Sequence, residues 1–271
     1  MPRPGSLFGI SGCAGGTGTE NREGRWKVKM KIPEILKPYE EDLNSTIKPS
    51  DRIIFTLEET KPWESKLGGC PYLEDIRQYP MGESGKPMMF LAQLNLAEMP
   101  PLPDLPQEGL LQFYVEDEDC YGLDGKCVVR YIPEYQTDEK MLVTENPYRD
   151  GYEENLPFTD DCKISFVREE MFIGTACPEY EEKFGDVPEK VSDALYDLCS
   201  MSDSRVGGYP YFVQCPPAYY SSSEYVLLLQ LDVDDTSGLM FGDAGNCNFI
   251  ISRKDLLARD FSQVEYDWQC C

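Results

Sequence analysis

Two stretches of this chain repeat each other, and that constrains its fold more than any other feature. Lys66-Leu67-Gly68-Gly69-Cys70-Pro71-Tyr72 and Arg205-Val206-Gly207-Gly208-Tyr209-Pro210-Tyr211 share a cation, an aliphatic residue, two glycines, a spacer and Pro-Tyr, at an offset of 139. Downstream, Phe90-Leu91-Ala92-Gln93-Leu94-Asn95 matches Leu227-Leu228-Leu229-Gln230-Leu231-Asp232 at an offset of 137. Gly109-Leu110-Leu111-Gln112-Phe113-Tyr114 then aligns with Gly245-Asn246-Cys247-Asn248-Phe249-Ile250 at 136. Three segments in one order at a nearly constant offset predict a duplication, with related halves at about 52–135 and 195–268 packed about a pseudo-two-fold axis. Gly-Gly before x-Pro supplies a backbone free to take positive φ and then a residue held extended, a sharp lead into a sheet. Strand alternation places Gln93 and Asn95 on one face with Met89 and Leu91, and Gln230 and Asp232 with Val226 and Leu228.

The remaining pattern predicts an α+β fold, β-rich with peripheral helices, in which 30–271 form a single domain. Ile32, Ile35, Leu36, Tyr39 and Leu43 keep helical spacing, with Pro38 a kink. Arg52 to Leu57 reads as a strand, as do Leu110 to Val115, Cys127 to Ile132 and Lys163 to Val167. A second helix runs from about Pro188 to Ser200, with Val191, Ala194, Leu195 and Leu198 on one face. Residues 1–29 are a glycine-rich leader expected to be disordered, and Met30 is the expected natural start. The leader's Gly12-Cys13-Ala14-Gly15-Gly16-Thr17-Gly18-Thr19 lacks the Gly-Lys-Ser/Thr ending of a phosphate loop.

Charge narrows the chemistry. The chain of 271 residues carries 49 acidic and 25 basic side chains, a net −24, and no histidine. Such a surface repels phosphate backbones and anionic lipid, so nucleic acid and membranes are poor partners and a basic protein is the expected one. Without imidazole there is no Ser-His-Asp or Cys-His nucleophile pair. The eleven cysteines are an odd number, and without a C-x-x-C or an opening signal segment they read as reduced thiols in a cytoplasm. Cys70, Cys177 and Cys247 sit among apolar neighbours, as core residues do.

Three sets of candidate site residues follow. A polar residue recurs at one point of both repeats, so Lys66, Gln93, Arg205 and Gln230 are candidates for a small-ligand site between the halves, the simpler reading being buried hydrogen-bonded pairs. Tyr209, Tyr211, Tyr219 and Tyr220, set among prolines and serines, have the composition of a recognition loop, although tyrosines also cover sheets. Among the acidic clusters, which include Asp160-Asp161, the stretch Asp232, Asp234 and Asp243 is the candidate for a divalent cation. Its spacing fails the EF-hand pattern, because Ser237 stands where glycine is needed, and a solvated loop is the simpler reading. No other cofactor and no catalytic residue is predicted.

The repeated segments also carry a resemblance. Lys66-Leu67-Gly68-Gly69, Phe90 to Leu96, Gly109 to Phe113, Phe241-Gly242-Asp243-Ala244-Gly245, Asp260-Phe261-Ser262 and Tyr266-Asp267-Trp268 together resemble the bacterial YwqG-like family, a domain of unknown function, over about Ser65 to Trp268. The resemblance implies a cytoplasmic, β-dominated, duplicated domain with no established reaction, and by gene association an immunity role. The expectation is an acidic cytoplasmic binding protein, a candidate for neutralising a basic toxin. The competing classes are an enzyme using carboxylates or a divalent cation, and a small-ligand-binding protein.

Overall fold

The computed structural model describes residues 19–20, 26–27, 31–117, 120–122, 126–222 and 224–271. Of the leader, Thr19–Glu20 (β1) and Trp26–Lys27 (β2) pair as a short antiparallel ladder. The disorder expected over the rest of 1–29, and the glycine run within it, lie outside the described residues.

Ten further strands alternate with loops: β3 (Lys48–Thr56), β4 (Lys66–Leu67), β5 (Met89–Asn95), β6 (Leu110–Val115), β7 (Cys127–Ile132), β8 (Cys162–Met171), β9 (Arg205–Gly207), β10 (Tyr225–Leu231), β11 (Asn246–Ser252) and β12 (Glu265–Gln269). They make one antiparallel sheet in the order β12-β11-β10-β9-β3-β8-β4-β5-β6-β7. The sheet curls until its outer strands approach, Cys127 Sγ lying 3.6 Å from the Val264 carbonyl that leads into β12. Tyr131 of β7 packs on Phe261 with ring centroids 5.3 Å apart. Inside this nearly closed barrel, Phe90, Phe113, Tyr114, Phe241 and Phe249 are fully buried, and the Phe113 and Phe249 rings meet at 5.0 Å. Burying such rings is the main stabilising term of the fold, roughly 25 cal/mol per Å² of apolar surface.

The long central pair deserves its length. β3 runs against β8 from Lys48 opposite Met171 to Thr56 opposite Lys163. The charged end of β8, Arg168-Glu169, is tolerated because each residue is answered on β3: Arg168 donates bidentately to fully buried Asp51 at 2.6 and 3.1 Å, and Glu169 accepts from Arg52 Nε at 2.7 Å. On its other side β3 pairs with β9, Arg52 opposite Arg205, while β8 pairs with β4, Lys163 opposite Lys66. Outward from there the registers run alike: Arg205 opposite Gln230 opposite Asn248 on one flank, Lys66 opposite Gln93 opposite Gln112 on the other. Both inner strands break register at a corresponding point, between Leu227 and Leu229 and between Phe90 and Ala92. The simple alternation expected along β5 and β10 is interrupted there, because a bulge shifts the residues before it to the opposite face.

Helices are few and peripheral: α1 (Glu40–Ser45), α2 (Arg149–Tyr152), α3 (Pro178–Phe184), α4 (Glu189–Cys199) and α5 (Arg253–Ala258). The helix expected from Ile32 begins instead as a 3-10 segment, Glu34–Tyr39, and becomes α-helical only after Pro38, which has no N–H for the α ladder. Leu36 and Leu43 from this segment meet Phe184 of α3 and Leu195 of α4 in a second core. The helix expected over Pro188 to Ser200 matches α4, which buries Val191, Leu195 and Cys199.

The Gly-Gly turns have the predicted conformation: Gly68 and Gly69 have φ of +67° and +71°, Gly207 and Gly208 +72° and +71°. At Gly208 a Cβ would lie 2.9 Å from Ser50 Cβ and closer still to Met171 Sδ. Gly208→Ala is therefore expected to destabilise by about 2–3 kcal/mol, from the left-handed backbone and the collision together. Urea unfolding measures this, and a loss below about 0.5 kcal/mol, the size of an ordinary surface substitution, would contradict the assignment.

Candidate functional site

Lys66, Gln93, Arg205 and Gln230 do not share a cleft. Lys66 and Gln93 are cross-strand partners on one flank, Arg205 and Gln230 on the other, with β8 and β3 between the two pairs. All four are buried, and three serve mainly to hold loops onto the sheet. Gln93 donates to the carbonyls of Pro62 and Glu64 at 2.8 and 2.9 Å and accepts from Tyr72 N and Gln112 Nε2, both at 2.9 Å. Gln230 accepts from Tyr211 N and donates to Asp203 O, both at 2.8 Å. Arg205 donates to the carbonyls of Ser202 and Asp203 at 3.0 and 3.3 Å, and its Nη1 lies 2.9 Å from Met171 Sδ.

Lys66 is placed differently. It lines a cavity of about 550 Å³ formed by the loop after β3 (Leu57 to Pro62), the Gly68-Gly69 turn, the start of β8 (Asp161, Cys162), and Glu139 and Thr144 from the connection following β7. Glu58, Glu59, Glu139 and Asp161 face Lys61 and Lys66, so carboxylates outnumber amines in the lining. Lys61 and Glu139 pair at 2.7 Å. The Lys66 ammonium donates to the carbonyls of Lys61 at 2.6 Å and Cys70 at 3.3 Å. Burial pushes its pKa down to about 8, an effect that nearby Glu64, Glu98 and Asp161 only partly oppose.

That shift has a sign. In the unfolded chain Lys66 stays protonated to about pH 10.4, but in the fold only to about 8. Between those values the unfolded state binds more protons, so the Lys66 contribution to stability rises with pH. Measured as wild type minus Lys66→Met, which cancels the cysteines and tyrosines titrating nearby, the gain is expected to reach about 2.5 kcal/mol from pH 8 to 10.5. A flat difference in urea denaturation across that range would show that Lys66 is not desolvated.

A family model described as Domain of unknown function (DUF1963) matches residues 65–270. The chain belongs to this family. No curated protein matches it. The DUF1963 match opens at Ser65, immediately before Lys66, and covers β4 through β12, whereas β3 and the loop of Leu57 to Pro62 precede it.

Other expectations for this DUF1963 domain are met differently. The tyrosine-rich segment lies over the sheet. Tyr209 is buried, donates to Thr46 O at 2.7 Å and lies beneath the Lys48 ammonium, while Tyr220 is buried against Phe212. Tyr211 contributes its backbone: its carbonyl accepts from Asn246 and Asn248, each at 2.9 Å. Tyr219 is half-buried, packed against Tyr225. These four residues thus help anchor a cover over the strands, and the prolines and serines around them shape the cover's turns. Asp232 is buried and accepts from Asp203 N at 3.1 Å and Val233 N at 2.8 Å, and Asp234 accepts from the Ser237 amide and hydroxyl at 2.8 and 2.9 Å. Asp243 is exposed. Among the described residues no group of three or more Cys, Asp or Glu is placed to hold a metal ion.

The cavity lining itself was not legible beforehand. Asp161 stood out only as half of an acidic pair, and Glu58, Glu59 and Glu139 come from loops with no distinguishing pattern.

Proposed function

We propose that the protein is a binding protein of the YwqG-like kind, built from two duplicated halves, whose ligand site is the cavity beside Lys66. The duplication is supported by the parallel registers on the two flanks of the sheet. The ligand site is supported by one contrast. On the second flank Met171 packs against Arg205, the counterpart of Lys66 in the repeat, whereas on the first flank Lys66 borders open space. An excess of carboxylates with Thr60 and Thr144 suits a hydroxylated ligand that is uncharged or cationic, and disfavours an anion. Thermal-shift titration with glycerol-like polyols, diamines and dicarboxylates tests this. The first two classes are expected to raise the melting temperature, the third to leave it unchanged, and Thr60→Trp, which fills the cavity, to abolish the response. Equal shifts in wild type and Thr60→Trp would overturn the reading.

A second reading rests on the net charge of −24, which favours a basic protein partner in a cytoplasmic setting; neutralising a basic toxin is one instance of it. No described helix is long and apolar enough to cross a membrane. A lysine-rich peptide is expected to bind at low ionic strength and to be released as salt rises toward physiological levels, where the Debye length falls to about 8 Å. Binding unaffected by salt would count against it.

A further inference from the structure

Resting on the cavity as a ligand site, we propose that Lys66 is a nucleophilic lysine that holds a carbonyl-bearing ligand, an uncharged hydroxy-aldehyde, as an imine. A neutral amine has two N–H groups and one lone pair, and Lys66 Nζ has two acceptors among the described residues, the carbonyls of Lys61 at 2.6 Å and Cys70 at 3.3 Å. Both hydrogens of the neutral form are therefore used, and no third acceptor is provided to hold the extra hydrogen of the ammonium. The remaining tetrahedral position is the lone pair, on a side chain that borders a 550 Å³ cavity. Among the described residues, carboxylates stand near it without forming an ion pair, so there the charged form lacks the partner that a buried ammonium ordinarily requires.

The repeat sharpens the point. At the corresponding position the second flank carries Arg205, fully buried, hydrogen-bonded to two carbonyls and packed on Met171. A guanidinium cannot be deprotonated in a protein, whereas a desolvated lysine can. Holding two loop carbonyls requires only a donor, and both residues supply one. The lysine, found where the cavity is open, adds a nucleophile.

The reaction balances without an outside oxidant or reductant. The Lys66 lone pair attacks the carbonyl carbon, and the C=O π pair moves to oxygen to give a carbinolamine. One amine hydrogen and one proton from solvent leave with that oxygen as water. The protonated imine keeps a single N–H, directed to the nearer acceptor, Lys61 O. Glu58, Glu59, Glu139 and Asp161 disfavour an anionic aldehyde and, with Thr60 and Thr144, can accept hydrogen bonds from ligand hydroxyls.

The full chain is incubated with glyceraldehyde and sodium cyanoborohydride, and the reduced adduct is located by peptide mass mapping. Lys66 is expected to be modified roughly tenfold faster at pH 8 than the exposed Lys190 and Lys254. Its rate is expected to level off above pH 8. Lys66→Arg, which copies the solution used at Arg205, should fold and leave that position unlabelled with the other lysines unchanged. Modification of Lys66 no faster than Lys190, in protein shown to be folded by circular dichroism, would overturn the imine. Polyol binding by thermal shift, needing no covalent step, would then still report on the cavity separately.

Discussion

Replacing Gln93 by leucine is expected to cost about 3–5 kcal/mol, close to the whole stability of a small domain. The side chains are similar in size, so the loss is polar. Four polar groups, two buried and two half-buried, would lose a partner together: the Tyr72 amide and one hydrogen bond of Gln112, and the carbonyls of Pro62 and Glu64. Each buried group left unpaired costs about 1–3 kcal/mol, and only partial relaxation is open to a loop pinned on both sides. Gln230→Leu, which strands the Tyr211 amide and the Asp203 carbonyl, should cost less, about 2–3 kcal/mol. Urea denaturation of both variants checks the ranking. Two losses under 1 kcal/mol would mean that water replaces the glutamine at no cost and that these residues do not hold the loops.

Cutting the chain between the halves is expected to have the larger effect. The fragments 1–135 and 136–271 each hold one set of the matched segments, yet in each the long strand, β3 or β8, is cut off from the contiguous run of four, β4 to β7 or β9 to β12. β8 from the second fragment lies between β3 and β4 of the first, and β3 from the first lies between β8 and β9 of the second. Each fragment alone should lack a cooperative unfolding transition, and mixing them should restore one together with near-ultraviolet circular dichroism. A fragment that melts cooperatively by itself would show that the halves are separate folding units after all.

The sheet was only partly legible because the repeat marks some strands and not others. β4 and β9, with the inner strands β5, β6, β10 and β11, lie in the matched segments. β3 and β8 escape the comparison. A short loop follows β3, whereas α3 and α4 follow β8, so the offset that finds the other strands fails here. β8 also carries Arg168-Glu169-Glu170, which reads as surface until Asp51 and Arg52 are seen opposite. At the site, the repeat singled out Lys66, but its cavity depends on Glu58, Glu139 and Asp161, brought together from three loops far apart in sequence. For the tyrosines, composition reports which side chains can make contacts, and only the fold decides whether those contacts face solvent or the sheet beneath.

The exchange of β3 and β8 also sets an order of events during synthesis. β3 leaves the ribosome early, but its full-length partner lies roughly 110 residues later, a delay of about 5–20 s at ordinary elongation rates. Throughout that interval Ile53 and Phe55, buried in the finished protein, belong to a strand with both edges unpaired. The nascent chain must therefore carry a sticky, half-made sheet past the midpoint of translation. Slowing elongation between β7 and β8 should lower the soluble yield, whereas the same pause placed after β11 should matter little.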